Sequence, residues 1–182
     1  VALTGSPRVD LSARGRLVIG PAKIVVTDHD PPSVEDLIEL VAEARRHQRT
    51  VAFHCASRLA LVLTLAALDA AGARPGDRIE HGAVIPDDAM DDVARLGLAV
   101  VTQPAFVTDR GDRWLTEVEA DDRPFLWRCA SLLRAGVPVA GSSDAPHGPA
   151  DPWAAMAAAA SRRTASGQVL GEGERLSARD AL

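Results

Sequence analysis

The chain has 182 residues, 47% of them hydrophobic and 25% charged, which suits one soluble globular domain with a sizeable core. Its formal net charge of -5 and pI of 5.5 argue against a nucleic-acid partner, which needs a basic face, and the charges are interspersed rather than gathered into a tail. Two cysteines, Cys55 and Cys129, without C-x-x-C spacing argue against a disulfide framework and for a reduced, cytoplasmic setting, and no apolar run is long enough to span a bilayer.

From Arg16 onward, short apolar runs alternate with turns and amphipathic stretches. Residues 17–19 and, past Gly20-Pro21, residues 24–26 form the first strand run. Pro31-Pro32 end it, and Ser33 with Asp36 gives a capping-box-like start to a helix reaching Arg46. In that helix Val34, Leu37, Ile38, Val41 and Ala44 recur at helical spacing. Val51-Ala52-Phe53 is a strand, followed by an apolar helix over 59–71 that Gly72 stops. Arg78-Ile79-Glu80 is a very short strand; Pro86 opens a helix to Leu96, with Gly97 as its stop. Residues 98–101 are a buried-strand run. Residues 104–122 are polar and irregular, and the expectation there is an active-site loop. A helix over 124–135 capped by Gly136, a strand over 137–140 and a Gly/Ser/Pro-rich loop to Pro152 come next. A helix over 153–164 follows, and another starts at Ser177.

Wholly apolar strands alternating with helices indicate a parallel sheet, here about five β/α units with no internal domain boundary across 1–182. The alternatives are an open doubly wound sheet and a piece of a (β/α) barrel. A phosphate-binding glycine fingerprint would favour the open sheet, and none is present: the glycines at 72 and 76 follow a helix.

Ligand-type residues fall at strand ends. His54 ends Val51-Ala52-Phe53, His81 ends Arg78-Ile79-Glu80, and Asp144 follows the 137–140 strand across Gly141-Ser142-Ser143. One such histidine is ordinarily structural, and an Asp before Ala145-Pro146 can simply start a turn. Two His and one Asp at equivalent ends, which converge on one rim in a barrel, favour a divalent metal such as zinc. Lys23 stands within an apolar strand, where an edge position or a buried ion pair is the ordinary explanation. His47 lies at a charged helix end, while His29 and His147 are in loops and could at most touch substrate.

The order Lys23, His54, Arg78-Ile79-Glu80-His81 and Gly141-Ser142-Ser143-Asp144-Ala145-Pro146 resembles the amidohydrolase superfamily. Gly20-Pro21-Ala22-Lys23, Gly76-Asp77-Arg78-Ile79-Glu80-His81 and Asp151-Pro152-Trp153 look like amidohydrolase family 3, the branch with the N-substituted formamide deformylases. The similarity runs from Gly15 to Leu182. It implies the C-terminal-half portion of a metal-dependent hydrolase (β/α)8 TIM barrel, strands four to eight, with one or two metal ions in the intact enzyme. His54 and His81 would be metal ligands, Asp144 a ligand and the general base, and Lys23 a bridging ligand if carboxylated. The family's His-x-His pair of strand one is absent, as are strands one to three and the β-sandwich domain, so the expectation is a fragment of a longer polypeptide.

The resemblance further implies hydrolysis of a carbon–nitrogen bond in a small, non-peptide amide-like molecule, with no nucleic-acid or membrane partner and with homo-oligomerisation left open. Amide, formamide, carbamate and cyclic-imide substrates all fit. Arg110, Trp114, His147 and Trp153 are the substrate-binding candidates. Two other readings stand beside this one: a catalytically silent fragment, and a mononuclear aminohydrolase acting on a nucleobase-like ring. The latter class places a Glu near the strand-five histidine, whereas Cys55-Ala56-Ser57 follow His54 with no Glu nearby in sequence.

Overall fold

A computed structural model describes residues 2–8, 15, 16 and 18–182. Six strands form one wholly parallel sheet in strict chain order: β1 (Ala2–Gly5), β2 (Val18–Val25), β3 (Val51–Cys55), β4 (Arg78–His81), β5 (Ala99–Thr102) and β6 (Val139–Gly141). Helices α1 (Val34–Arg46), α2 (Arg58–Ala71) and α3 (Asp87–Arg95) follow β2, β3 and β4 in turn. Helices α4 (Ala105–Glu117) and α5 (Ala130–Arg134) lie between β5 and β6, and α6 (Pro152–Ser161) follows β6. This is a partial TIM-barrel-like α/β fold.

The main core lies between sheet and helices. Alternate residues Ala22, Ile24, Val51, Phe53, Cys55, Ile79 and Val100 face Leu37 and Val41 of α1, Leu61, Leu65 and Leu68 of α2, and Val93 of α3. The other face of the sheet carries Lys23, Val25, His54 and Glu80 by the same alternation, and Val25 is 56% exposed there. A second, smaller cluster joins Phe106, Val107, Leu126, Trp127 and Leu170 under α4.

Charged side chains tie the ends of the sheet opposite the candidate site. Asp77, just before β4, is fully buried and accepts from Arg45 through both guanidinium Nη atoms and from the amides of Val51 and Arg74. Arg49 spends its guanidinium on the carbonyls of Gly5, Ser6, Gly20 and Pro21, fastening β1 to β2.

Most elements arise where the spacing predicts them. Ser33 and Asp36 form the full capping box of α1, and Gly72, at φ 77°, closes α2. Five differences have physical reasons. The sheet has a sixth strand, β1, ahead of the five expected, so a strand precedes the one counted as the fourth. Its four residues carry too little pattern to register, and its last carbonyl, that of Gly5, is held by the distant Arg49. Leu17, the start of the first predicted run, lies outside the described residues.

Residues 104–122 are not an irregular loop: Ala105–Glu117 is helix α4, whose Ala105, Phe106, Val107 and Gly111 are buried. Gly111 is needed there because a Cβ would meet Thr164 Cγ2 at 2.6 Å. The helix expected over 124–135 is a 3-10 turn, Arg123–Phe125, and the five-residue α5. Between them Leu126 bridges Val84, and Trp127, at φ 50°, donates its amide to Ala83 at 2.9 Å. Helix α6 stops at Ser161 rather than at 164. Arg162 there turns left-handed and buries its guanidinium against the carbonyls of Leu126, Trp127 and Leu170. After Ser177 the chain makes a turn, with Ser177 Oγ accepting from the Asp180 amide, and not the expected helix.

Candidate active site

Parallel pairing brings the C-terminal ends of the strands to one rim. His54 is the penultimate residue of β3, between the buried Phe53 and Cys55, so it projects on the face away from the helices. His81 ends β4 with φ 73°, a left-handed conformation unusual for a non-glycine residue. Gly82 continues that turn at φ 54°, where a Cβ would lie 2.8 Å from Ile85 Cδ1. Asp144, beyond β6, is also left-handed, at φ 49°. Its loop is anchored to β5 by Ser142 N donating to the Thr102 carbonyl at 2.8 Å, and His147 N donates to the Asp144 carbonyl at 2.8 Å.

The two imidazoles meet edge to face, ring centroids 4.4 Å apart at 69°. His81 Nδ1 lies 2.9 Å from Gln103 Oε1. Burial pushes the His54 pKa below its ordinary value, His81 and Lys23 lower it further, and the carboxylates of Asp144 and Glu80 act the other way. Burial also lowers the pKa of Lys23, against the same two carboxylates. Lys23, His54, His81, Glu80 and Asp144 thus share one electrostatic neighbourhood. Even so, among the described residues no three His, Cys, Asp or Glu side chains converge closely enough to form a metal-holding group. Burial pushes the Cys55 thiol up to about 12, so the cysteine beside His54 is a core residue and not a nucleophile.

The substrate-binding candidates divide. Arg110 lies 4.0 Å above the Phe106 ring and donates to the His147 carbonyl, so these two candidates meet. Trp114 stacks on Trp127 at 4.8 Å and meets Phe106 edge to face at 6.1 Å. Trp153 stands apart in the first turn of α6, 69% exposed. His29 is exposed, and His47 pairs with Glu43 at 3.0 Å.

Sequence reasoning missed two side chains at the rim. Glu80 sits opposite His54 in the β3–β4 register, so a carboxylate flanks that histidine across the sheet although none is near it along the chain. Arg78 Nε donates to Glu80 at 2.7 Å. Gln103 follows β5 directly, and its position after a strand is the only sequence signal it gives.

A parallel sheet of consecutive β/α units with ligand-type side chains at its C-terminal rim defines a partial TIM-barrel-like fold. The chain belongs to the amidohydrolase family, whose sequence profile matches residues 15–182. It is 31% identical over 139 residues to the Bacillus subtilis (strain 168) protein named "Putative amidohydrolase YtcJ", a stretch covering 74% of this chain and 26% of that protein. Two crystal structures of uncharacterized metal-dependent hydrolases share its fold. The one from Pyrococcus furiosus matches with a TM-score of 0.78 at 24% identity, over 93% of this chain and 39% of the other. The one from Pyrococcus horikoshii OT3 matches with a TM-score of 0.77 at 26% identity, with the same coverage. The chain therefore spans about a quarter of YtcJ and about two fifths of the Pyrococcus proteins. Among the described residues no helix is long and apolar enough to cross a membrane.

Proposed function

We propose that this chain supplies part of the active site of a metal-dependent hydrolase that cleaves a carbon–nitrogen bond in a small, non-peptide amide-like molecule. The observation carrying this reading is the contact of His54 and His81 on the rim, in one electrostatic neighbourhood with Lys23 and Asp144. The donor chemistry fits a divalent cation, zinc above all. His54 is held toward its neutral, lone-pair-bearing form, and Asp144 offers carboxylate oxygen. His54, His81 and Asp144 would hold the ion, and Lys23 would bridge two ions if its amine were carboxylated, which its lowered pKa favours.

A cation held there would supply polarisation of the scissile carbonyl and a lowered pKa of water. Asp144 takes the proton of the attacking water and returns it to the departing amine. Arg110 donates to the His147 carbonyl in the loop that carries Asp144, and the two would orient the substrate. The Gly20-Pro21-Ala22-Lys23 and Asp151-Pro152-Trp153 elements favour the formamide-deformylase-like branch. Glu80 beside His54 gives the nucleobase-type aminohydrolase reading a carboxylate it needs, but Lys23 on the same face supports the two-ion amide hydrolase instead.

Metal analysis of the purified, dialysed protein tests the site: about one tightly held ion per chain, lost in His54→Ala, is expected. A folded chain without metal would overturn the assignment of these residues as a sufficient site. In the protein that carries this chain, Asp144→Asn should keep much of the metal and lose amide hydrolysis by about 100-fold or more. An unchanged rate would remove Asp144 from its role.

A further inference from the structure

The His81 imidazole has a partner that the proposed reaction leaves unexplained. Gln103 is 1% exposed, His81 is 9% exposed, and Gln103 Oε1 lies 2.9 Å from His81 Nδ1. The other end of the amide is already committed, since Gln103 Nε2 donates to the Val101 carbonyl at 3.4 Å. Turned the other way, the amide would set its oxygen against that carbonyl, acceptor on acceptor. The oxygen therefore faces the ring, and an oxygen there needs a proton on Nδ1. In a neutral imidazole this leaves the lone pair on Nε2.

We propose that Gln103 is a positioning residue for His81: by accepting from Nδ1–H it fixes the tautomer and the ring plane and presents Nε2 as the ligating nitrogen. This rests on reading His81 as a metal ligand. Two features agree with a ring held from behind. The His81 backbone is fixed in the left-handed region at φ 73°, and its ring meets that of His54 edge to face at 4.4 Å. A ring with one partnered nitrogen and one bare nitrogen is how ligating histidines are commonly oriented by a neighbouring acceptor.

Long-range proton–nitrogen NMR on metal-free protein with 15N-labelled histidine tests this at neutral pH. In the unaltered protein, His81 should show a protonated Nδ1 and a bare Nε2; a protonated Nε2 overturns the proposal without need of any variant. Gln103→Met, similar in length but without the acceptor, should lose that bias. Zinc competition titrations should show affinity about 10- to 100-fold weaker in Gln103→Met. A Gln103→Met protein with the original tautomer and affinity overturns the proposal. If the unaltered protein binds no zinc while the tautomer follows Gln103, the metal reading fails and the positioning role stands.

Discussion

Replacing Asp77 with alanine should cost this protein much of its stability while leaving the rim intact. Four donors converge on that fully buried carboxylate: both Nη atoms of Arg45 and the amides of Val51 and Arg74. Arg45 is itself nearly buried, with its side chain 10% exposed. Without its counter-charge it becomes an uncompensated buried guanidinium, which costs about 3–5 kcal/mol. The Val51 amide loses its side-chain acceptor inside the core, adding about 1–3 kcal/mol. A total of about 5 kcal/mol is comparable with the whole stability of many domains. At a urea slope of about 2 kcal/mol/M, the unfolding midpoint should fall by roughly 2.5 M, far enough that a marginal protein would lose its native baseline. Because apolar replacement of both partners is often tolerated, Arg45→Met combined with Asp77→Leu should recover a large part of the loss, though not the Val51 share. The His54–His81 contact lies at the other end of the strands, so the His81 nitrogen resonances should persist in any folded fraction. A fall in midpoint below about 0.5 M for Asp77→Ala would refute the reasoning.

Gly148 lies where a Cβ would come within 2.4 Å of the Ser143 carbonyl oxygen and 2.6 Å of Phe106 Cε1. Backbone cannot yield as a side chain can, so Gly148→Ala should lose about 1–3 kcal/mol and loosen the loop carrying Asp144. Thermal unfolding checks this, and an unchanged Tm would show that the loop yields freely. The pH prediction follows from the lowered pKa of His54, caused first by burial and then by His81 and Lys23. Its folded-state pKa lies below the ordinary 6.5, so the unfolded chain binds the extra proton first as pH falls. His54 therefore contributes full stability above about pH 6.5 and loses it as pH drops toward its lower folded value. Urea midpoints at pH 7.5 and 5.5 should differ more in the unaltered protein than in His54→Asn; equal differences would refute the shift.

The fold class was legible because its signals are local. The Ser33–Asp36 box, the glycines at 72 and 97, and apolar runs such as Val51-Ala52-Phe53 each mark a boundary within a few residues. What escaped was decided over distance. Strand β1 relies on an arginine more than forty residues away, and Leu126–Trp127 are drawn out of a helix by pairing with Ala83–Val84. Helix α4 carries charges on its open side, which mask a buried face set by Phe106, Val107 and Gly111. At the candidate site, His54, His81 and Asp144 stand out in the sequence as ligand types at strand ends, and Lys23 as a lysine within an apolar strand. Glu80 and Gln103 do not, because their places depend on register and on the far side of a ring.

Among the described residues, each strand of this sheet hydrogen-bonds only to the strands before and after it in the chain. That arrangement resembles repeat proteins, where order can spread or recede one unit at a time. Here receding order has a direction with chemical meaning. The three-residue β6 forms one margin of the sheet, with Ala140 and Gly141 exposed, and it leads directly into the loop bearing Asp144. The imidazole pair stands on β3 and β4, well inside. Melting from that margin would release the carboxylate while the histidines still faced one another. On gentle heating, proton transfer to Asp144 would then fail while the imidazole pair kept its geometry.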